Sequence, residues 1–164
     1  HKTVHSFPTR RSSDLIAKER HGSQVNPETV LSLALYHDVG EVITGDLPTP
    51  VKYKNPEIKG AYKRIEAMAS QQLLAMLPAD LRPAYDRYLL PDEQTYEWKL
   101  VKAADRICAY IKCVEEQNLG NREFDQARAY VLDSIRKSDL PEVQEFMREF
   151  APSFELSLDE LSRL

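Results

Sequence analysis

The sequence has little of what would direct a protein to a membrane, to an oxidising compartment or to nucleic acid. Of its 164 residues only two are cysteines, Cys108 and Cys113. They lie in one helical stretch and point to different faces, so the expectation is two unpaired buried thiols in a reducing cytoplasm. No apolar run approaches the roughly 20 residues that span a bilayer, and the first residues lack the apolar core of a secretion signal. No membrane partner is expected. Acidic residues outnumber basic ones, 26 to 22, for a net charge of -4 and a pI near 5.6. That balance excludes the basic footprint of a protein that grips a nucleic-acid polymer. Strand-like alternation, internal repeats and low-complexity tracts are also missing.

What is present reads as one all-α domain. Hydrophobic residues make up 42% and charged residues 29%, ordinary for a globular chain long enough to bury a real core. Residues 1–15 stand apart. Pro8, two arginines and two serines interrupt any periodicity, and SFPTRRSSDL resembles a translated sequencing adapter. This segment is expected to be non-native and non-helical, leaving residues 16–164 as the domain. Ile16 to Arg20 reads as the tail of a helix stopped by Gly22. Asn26-Pro27-Glu28 and Asn55-Pro56-Glu57 each open a helix with an Asn cap and a Pro at the first position. The second of these should run to Leu77, with Ile58, Tyr62, Ile65, Ala69, Leu73 and Met76 or Leu77 on one face. A short helix is expected over 81–90. The longest should run over 93–118, closed by Gly120, with Trp98, Val101, Asp105, Cys108 and Ile111 or Lys112 as its stripe. Helices follow around 124–135 and 141–150, and Ser157 with Glu160 forms a capping box.

The chemistry concentrates in LALYHDVGEVITGDLPTPVK, residues 33–52. Val30, Leu33, Ala34 and His37 share helical spacing, so His37 falls on the buried stripe, with Glu41 one turn beyond. Gly45, Pro48 and Pro50 then force an ordered loop carrying Asp46. A lone His-Asp pair occurs often by chance, and a core histidine is its simplest reading. Asp105 changes the weighting. A carboxylate on an apolar stripe needs a positive partner, and metal ligands must come together from separate helices. One metal ion meets both demands. The plain alternatives are a lysine salt bridge for Asp105 and a solvated helix end for Glu41.

His37-Asp38 together with Asp105 in KAADRICAYIKC resembles the HD-domain metal-dependent phosphohydrolases. YHDVGEVITGDLPTPVKY, KAADRICAYIKCVEE and FAPSFELSLDEL resemble more closely the bacterial 5′-deoxynucleotidase branch, from about residue 16 onward. That resemblance implies an all-helical HD-domain, phosphodiesterase-like fold. It also implies hydrolysis of deoxyribonucleoside 5′-monophosphates with one divalent metal ion, typically cobalt or manganese, often in a homodimer. By the same resemblance His37, Asp38 and Asp105 are metal ligands, and Glu41 and Asp46 are catalytic. Asp46, Leu47, Pro48 and Thr49 contact the nucleotide, and Asp38 and Asp105 join the substrate contacts.

The chain departs from the family upstream. A fourth ligand, a histidine on an earlier helix, and an Arg-Trp pair have no match. His5 is at about the right distance in unsuitable surroundings, and His21 reads as a surface residue. The expectation is a domain lacking its first helices, with weak metal binding and impaired activity. Two other readings are another HD-domain activity, such as a cyclic-nucleotide or alarmone phosphodiesterase, and a metal-free helical interaction module. The TGDLPTP loop argues against the first, and five polar groups on one site argue against the second.

Overall fold

The two Asn-Pro-Glu starts behave as their chemistry requires. The side-chain Oδ1 of Asn26 accepts the amides of Glu28 and Thr29 at 2.9 and 3.2 Å, and that of Asn55 accepts the Glu57 amide at 2.7 Å. Each Asn satisfies amides that have no partner within the helix, and each Pro occupies a position where no N–H is needed. The structure, a computed structural model, describes residues 6–47, 55–156 and 158–162. In order the helices are α1 (Ser6–Glu19), α2 (Pro27–Tyr36), α3 (Glu41–Thr44), α4 (Pro56–Met76) and α5 (Arg82–Leu89). Then come α6 (Tyr96–Asn118), α7 (Asp125–Arg136), α8 (Pro141–Glu149), a 3₁₀ turn over Ala151–Glu155, and α9 (Leu158–Leu161). No strand occurs among the described residues.

The spine is α6. Thr95 caps it through its hydroxyl, 3.3 Å from the Trp98 amide, and Gly120 ends it at φ +84°. Leu100, Val101, Ile107, Ile111 and Val114 are all but inaccessible to solvent. They meet Val30 and Leu33 of α2, Ile135 of α7, and Val143 and Phe146 of α8 in one cluster. Burial of each such side chain contributes on the order of 1.5–3 kcal/mol. The helices α1, α2 and α7 and the 3₁₀ turn pack directly on α6.

Four expectations need correction. Residues 6–15 are helical and belong to α1; Pro8 is tolerated because it falls in the first turn, where N–H groups have no helical partner. The expected stripe of α4 is not a core stripe. Ala69 is the buried α4 residue, while Ile58, Ile65 and Met76 are exposed, because α4 packs on α3 and α5 and contributes nothing to the central cluster. Asp105 lies at the edge of the buried face of α6 rather than at its centre, with its side chain 38% exposed. Both cysteines are free thiols, but only Cys108 is fully buried and Cys113 is half-buried. Ser157 lies outside the described residues.

Candidate metal centre

α2 ends at Tyr36, and His37 keeps helical backbone angles at its C-terminal boundary. The phase set by Val30, Leu33 and Ala34 therefore carries His37 inward, and its side chain is 3% exposed. Its Nδ1 lies 2.8 Å from the carbonyl of Ala34. An N–H at Nδ1 donates to that oxygen, which leaves Nε2 to face the carboxylates.

Two carboxylates face that nitrogen. Asp38 Oδ2 is 2.7 Å from His37 Nε2, and Asp105 Oδ1, from the middle of α6, is 3.7 Å away. Lys102, one turn earlier on α6, places Nζ 3.8 Å from the other oxygen of Asp105. Burial by itself pulls the His37 pKa down, but Asp105 and Asp38 together overcome it and push it up to about 9. Oxygen atoms that hold a proton on Nε2 so strongly form a well for any cation.

The three side chains fit a divalent metal. One ligand atom from each of His37, Asp38 and Asp105 lies within 4.8 Å of the others. Ligands at ordinary metal–nitrogen and metal–oxygen distances stand about 3 Å from one another, and the two separations at Nε2 bracket that value. One imidazole with two carboxylates is a donor set for a borderline transition metal.

Glu41 and Asp46 are not part of this cluster. Glu41 opens α3, its amide bonded to the Asp38 carbonyl at 2.9 Å, and is half-buried. Asp46 is exposed in the loop after Gly45, and Leu47 is half-buried. Pro48 and Thr49, and likewise His5, lie outside the described residues. His21 pairs with Glu145 of α8 at 2.8 Å. The Ala34 carbonyl went unread in the sequence, although a carbonyl three residues before a helix-end histidine is a standard partner for its ring.

A helical domain that presents a His-Asp pair at one helix end to an Asp from its central helix has the architecture of an HD-domain phosphohydrolase. It superimposes on a crystal structure of an HD-domain phosphohydrolase from Listeria innocua with a TM-score of 0.79 and 26% identity, over 92% of this chain and 74% of that one. Residues 7–154 match the family described as 5′-deoxynucleotidase YfbR-like. A 5′-deoxynucleotidase of Vibrio atlanticus is 48% identical over 149 residues, 90% of this chain and 77% of its own length. One of Yersinia pseudotuberculosis is 48% identical over 151 residues, covering 76% of its length. The chain belongs to the YfbR-like 5′-deoxynucleotidase family and is a hydrolase of the HD-domain class.

Proposed function

We propose that this chain hydrolyses deoxyribonucleoside 5′-monophosphates to deoxynucleoside and phosphate, using one divalent metal held by His37, Asp38 and Asp105. The observation that carries this reading is the His37 ring, with Nδ1 committed to Ala34 and Nε2 turned to two carboxylates. A metal bound there would supply Lewis acidity and lower the pKa of a water toward about 7.

The chain's own groups supply the rest. Asp38 and Asp105 orient His37 and hold the substrate side of the centre. Glu41, half-buried at the start of α3, and Asp46, exposed in the following loop, are the carboxyl groups for proton movement. One holds the attacking water and the other gives a proton to the leaving 5′ oxygen. Asp46 and Leu47, with Pro48 and Thr49, form the nucleotide-facing loop. Cobalt or manganese suits the donor set. With three protein ligands among the described residues, two of them partly exposed, we expect weak metal retention and slow turnover. No helix among the described residues is long and apolar enough to cross a membrane, and free thiols suit the cytoplasm, where we place the protein as a homodimer.

The direct test is phosphate release from dAMP and AMP after chelation and reloading with cobalt or manganese. Metal-dependent release from dAMP is expected. Cleavage of a cyclic nucleotide or an alarmone, with dAMP left intact, would overturn the reading. Elemental analysis after dialysis should find less than one cobalt per chain, and a retained stoichiometric ion would contradict weak binding.

A further inference from the structure

The helix α4 runs for 21 residues, yet Ala69 is its buried residue and no α4 side chain joins the central cluster. Ile58, Ile65, Met68 and Met76 are exposed. A helix of this length normally docks through a broad apolar stripe. Here the inward face is occupied instead by the short segment that leads out of the metal centre.

Two fixtures join them. At Gly40, before α3, an added Cβ would stand 3.2 Å from Ser70 Oγ, 3.4 Å from the Glu66 carbonyl oxygen and 3.7 Å from Ala69 Cβ. A Cβ there would have to push Ser70 Oγ aside by a few tenths of an ångström, so the bare Cα of glycine suits the close approach of α3 to α4. At Gly45 the backbone turns into the left-handed region, φ +71°. Its carbonyl oxygen accepts two hydroxyls, Tyr62 Oη at 2.5 Å and Thr44 Oγ1 at 2.9 Å. Those two donors match the two lone pairs of a carbonyl oxygen.

The Gly45 carbonyl shares a rigid peptide plane with the Asp46 amide. Fixing that oxygen fixes the plane from which the Asp46 side chain departs. Thr44 is adjacent in sequence and moves with the loop. Tyr62 belongs to another helix and ties the loop to an external frame. We infer that Tyr62 is a positioning residue: α4 serves as a splint, and the Tyr62 hydroxyl on the Gly45 carbonyl sets the Asp46–Leu47 loop for the nucleotide. This rests on the reading of Asp46 as a substrate and catalytic residue.

The test compares the full chain with Tyr62→Phe, which removes one oxygen and keeps the ring. Hydrogen exchange of the metal-free proteins needs no turnover. Loss of one hydrogen bond predicts about fivefold faster exchange at amides 43–47, with the amides of α6 and the melting temperature little changed. Gly40→Ala should loosen the same amides through the other fixture. With cobalt, Tyr62→Phe should lower kcat/KM for dAMP about fivefold or more without changing cobalt affinity. Unchanged exchange at 43–47 in Tyr62→Phe overturns the splint. Faster exchange with unaltered dAMP kinetics leaves the splint in place and overturns the assignment of Asp46 to the substrate.

Discussion

Oδ1 of Asp105 stands 3.7 Å from Nε2 of His37, and the two residues come from helices far apart in the chain. Neither helix alone can hold a metal. Asp105→Ala should therefore abolish metal-dependent turnover and weaken cobalt binding by at least about 100-fold, more than the loss of an outer-sphere partner costs. Circular dichroism should show unchanged helix content, because Asp105 is only partly buried and contributes nothing to the central cluster. Full metal-dependent turnover in this variant would refute the site.

Metal binding should also register as stability. A ligand that binds only the folded chain adds about 2.7 kcal/mol at 100 times its Kd. For a domain of this size that raises Tm by roughly 5–10 °C. Cobalt titrated into chelator-treated protein should produce such a rise, and EDTA should reverse it. His37→Ala should show no rise; an equal rise in that variant would place the ion elsewhere.

Half-buried Tyr96 and fully buried Glu142 form a pair that the sequence did not announce. Tyr96 Oη donates to Glu142 Oε1 at 2.7 Å, and Glu142 has no exposed surface. Burial and the neighbouring carboxylate push the Tyr96 hydroxyl up to about 12. Tyr96→Phe leaves that carboxylate without its donor and should cost about 1–3 kcal/mol, read as a lower urea midpoint at unchanged slope. An unaltered midpoint would mean that the bond contributes nothing.

Ser13 points the other way. It is fully buried, and its hydroxyl has no hydrogen-bond partner among the described residues. Ser13→Ala removes an unsatisfied polar atom and introduces the best helix former. Stability should rise by about 0.5–2 kcal/mol, measured by urea unfolding. A fall would show that the hydroxyl is satisfied after all.

The junction between α1 and α8 should loosen in acid. Arg20 donates to Glu149 at 2.6 Å and to Glu145. Those contacts hold both carboxyls below their usual range, with His21 acting on Glu145 and Arg148 on Glu149. A depressed folded pKa contributes stability above the unfolded value, about 4.3, and loses it as pH falls through the folded values. The midpoint difference between the wild-type chain and Arg20→Gln should be present near pH 6 and shrink as pH falls below the unfolded value of about 4.3 and through the folded ones. A difference that persists at the acid end would exclude these carboxylates as its source.

Much of this fold was legible from one-dimensional signals. Asn26 and Asn55 with their following prolines, Gly22 and Gly120 at helix ends, and the apolar spacing of α6 are local effects, set by capping and backbone sterics. His37 was legible in the same way, because a helical phase continues through the helix end. The part of α1 before Ile16 was not legible: Pro8 and the polar run hid a helix that the neighbouring core accommodates. The face of α4 was misread because periodicity reports that a stripe exists and not whether anything covers it.

The sequence by itself determined where most of the helices after α1 begin and end, that His37 turns inward, and that Asp105 needs a cationic partner. Those follow from interactions within a few residues, whose geometry the chain cannot escape. Only the tertiary structure decided that Nε2 of His37 faces Asp105 and that α4 braces Gly40 and Gly45. Such contacts depend on how whole helices cross, and crossing is settled by the packing of the core around α6 rather than by the spacing of residues along any one helix.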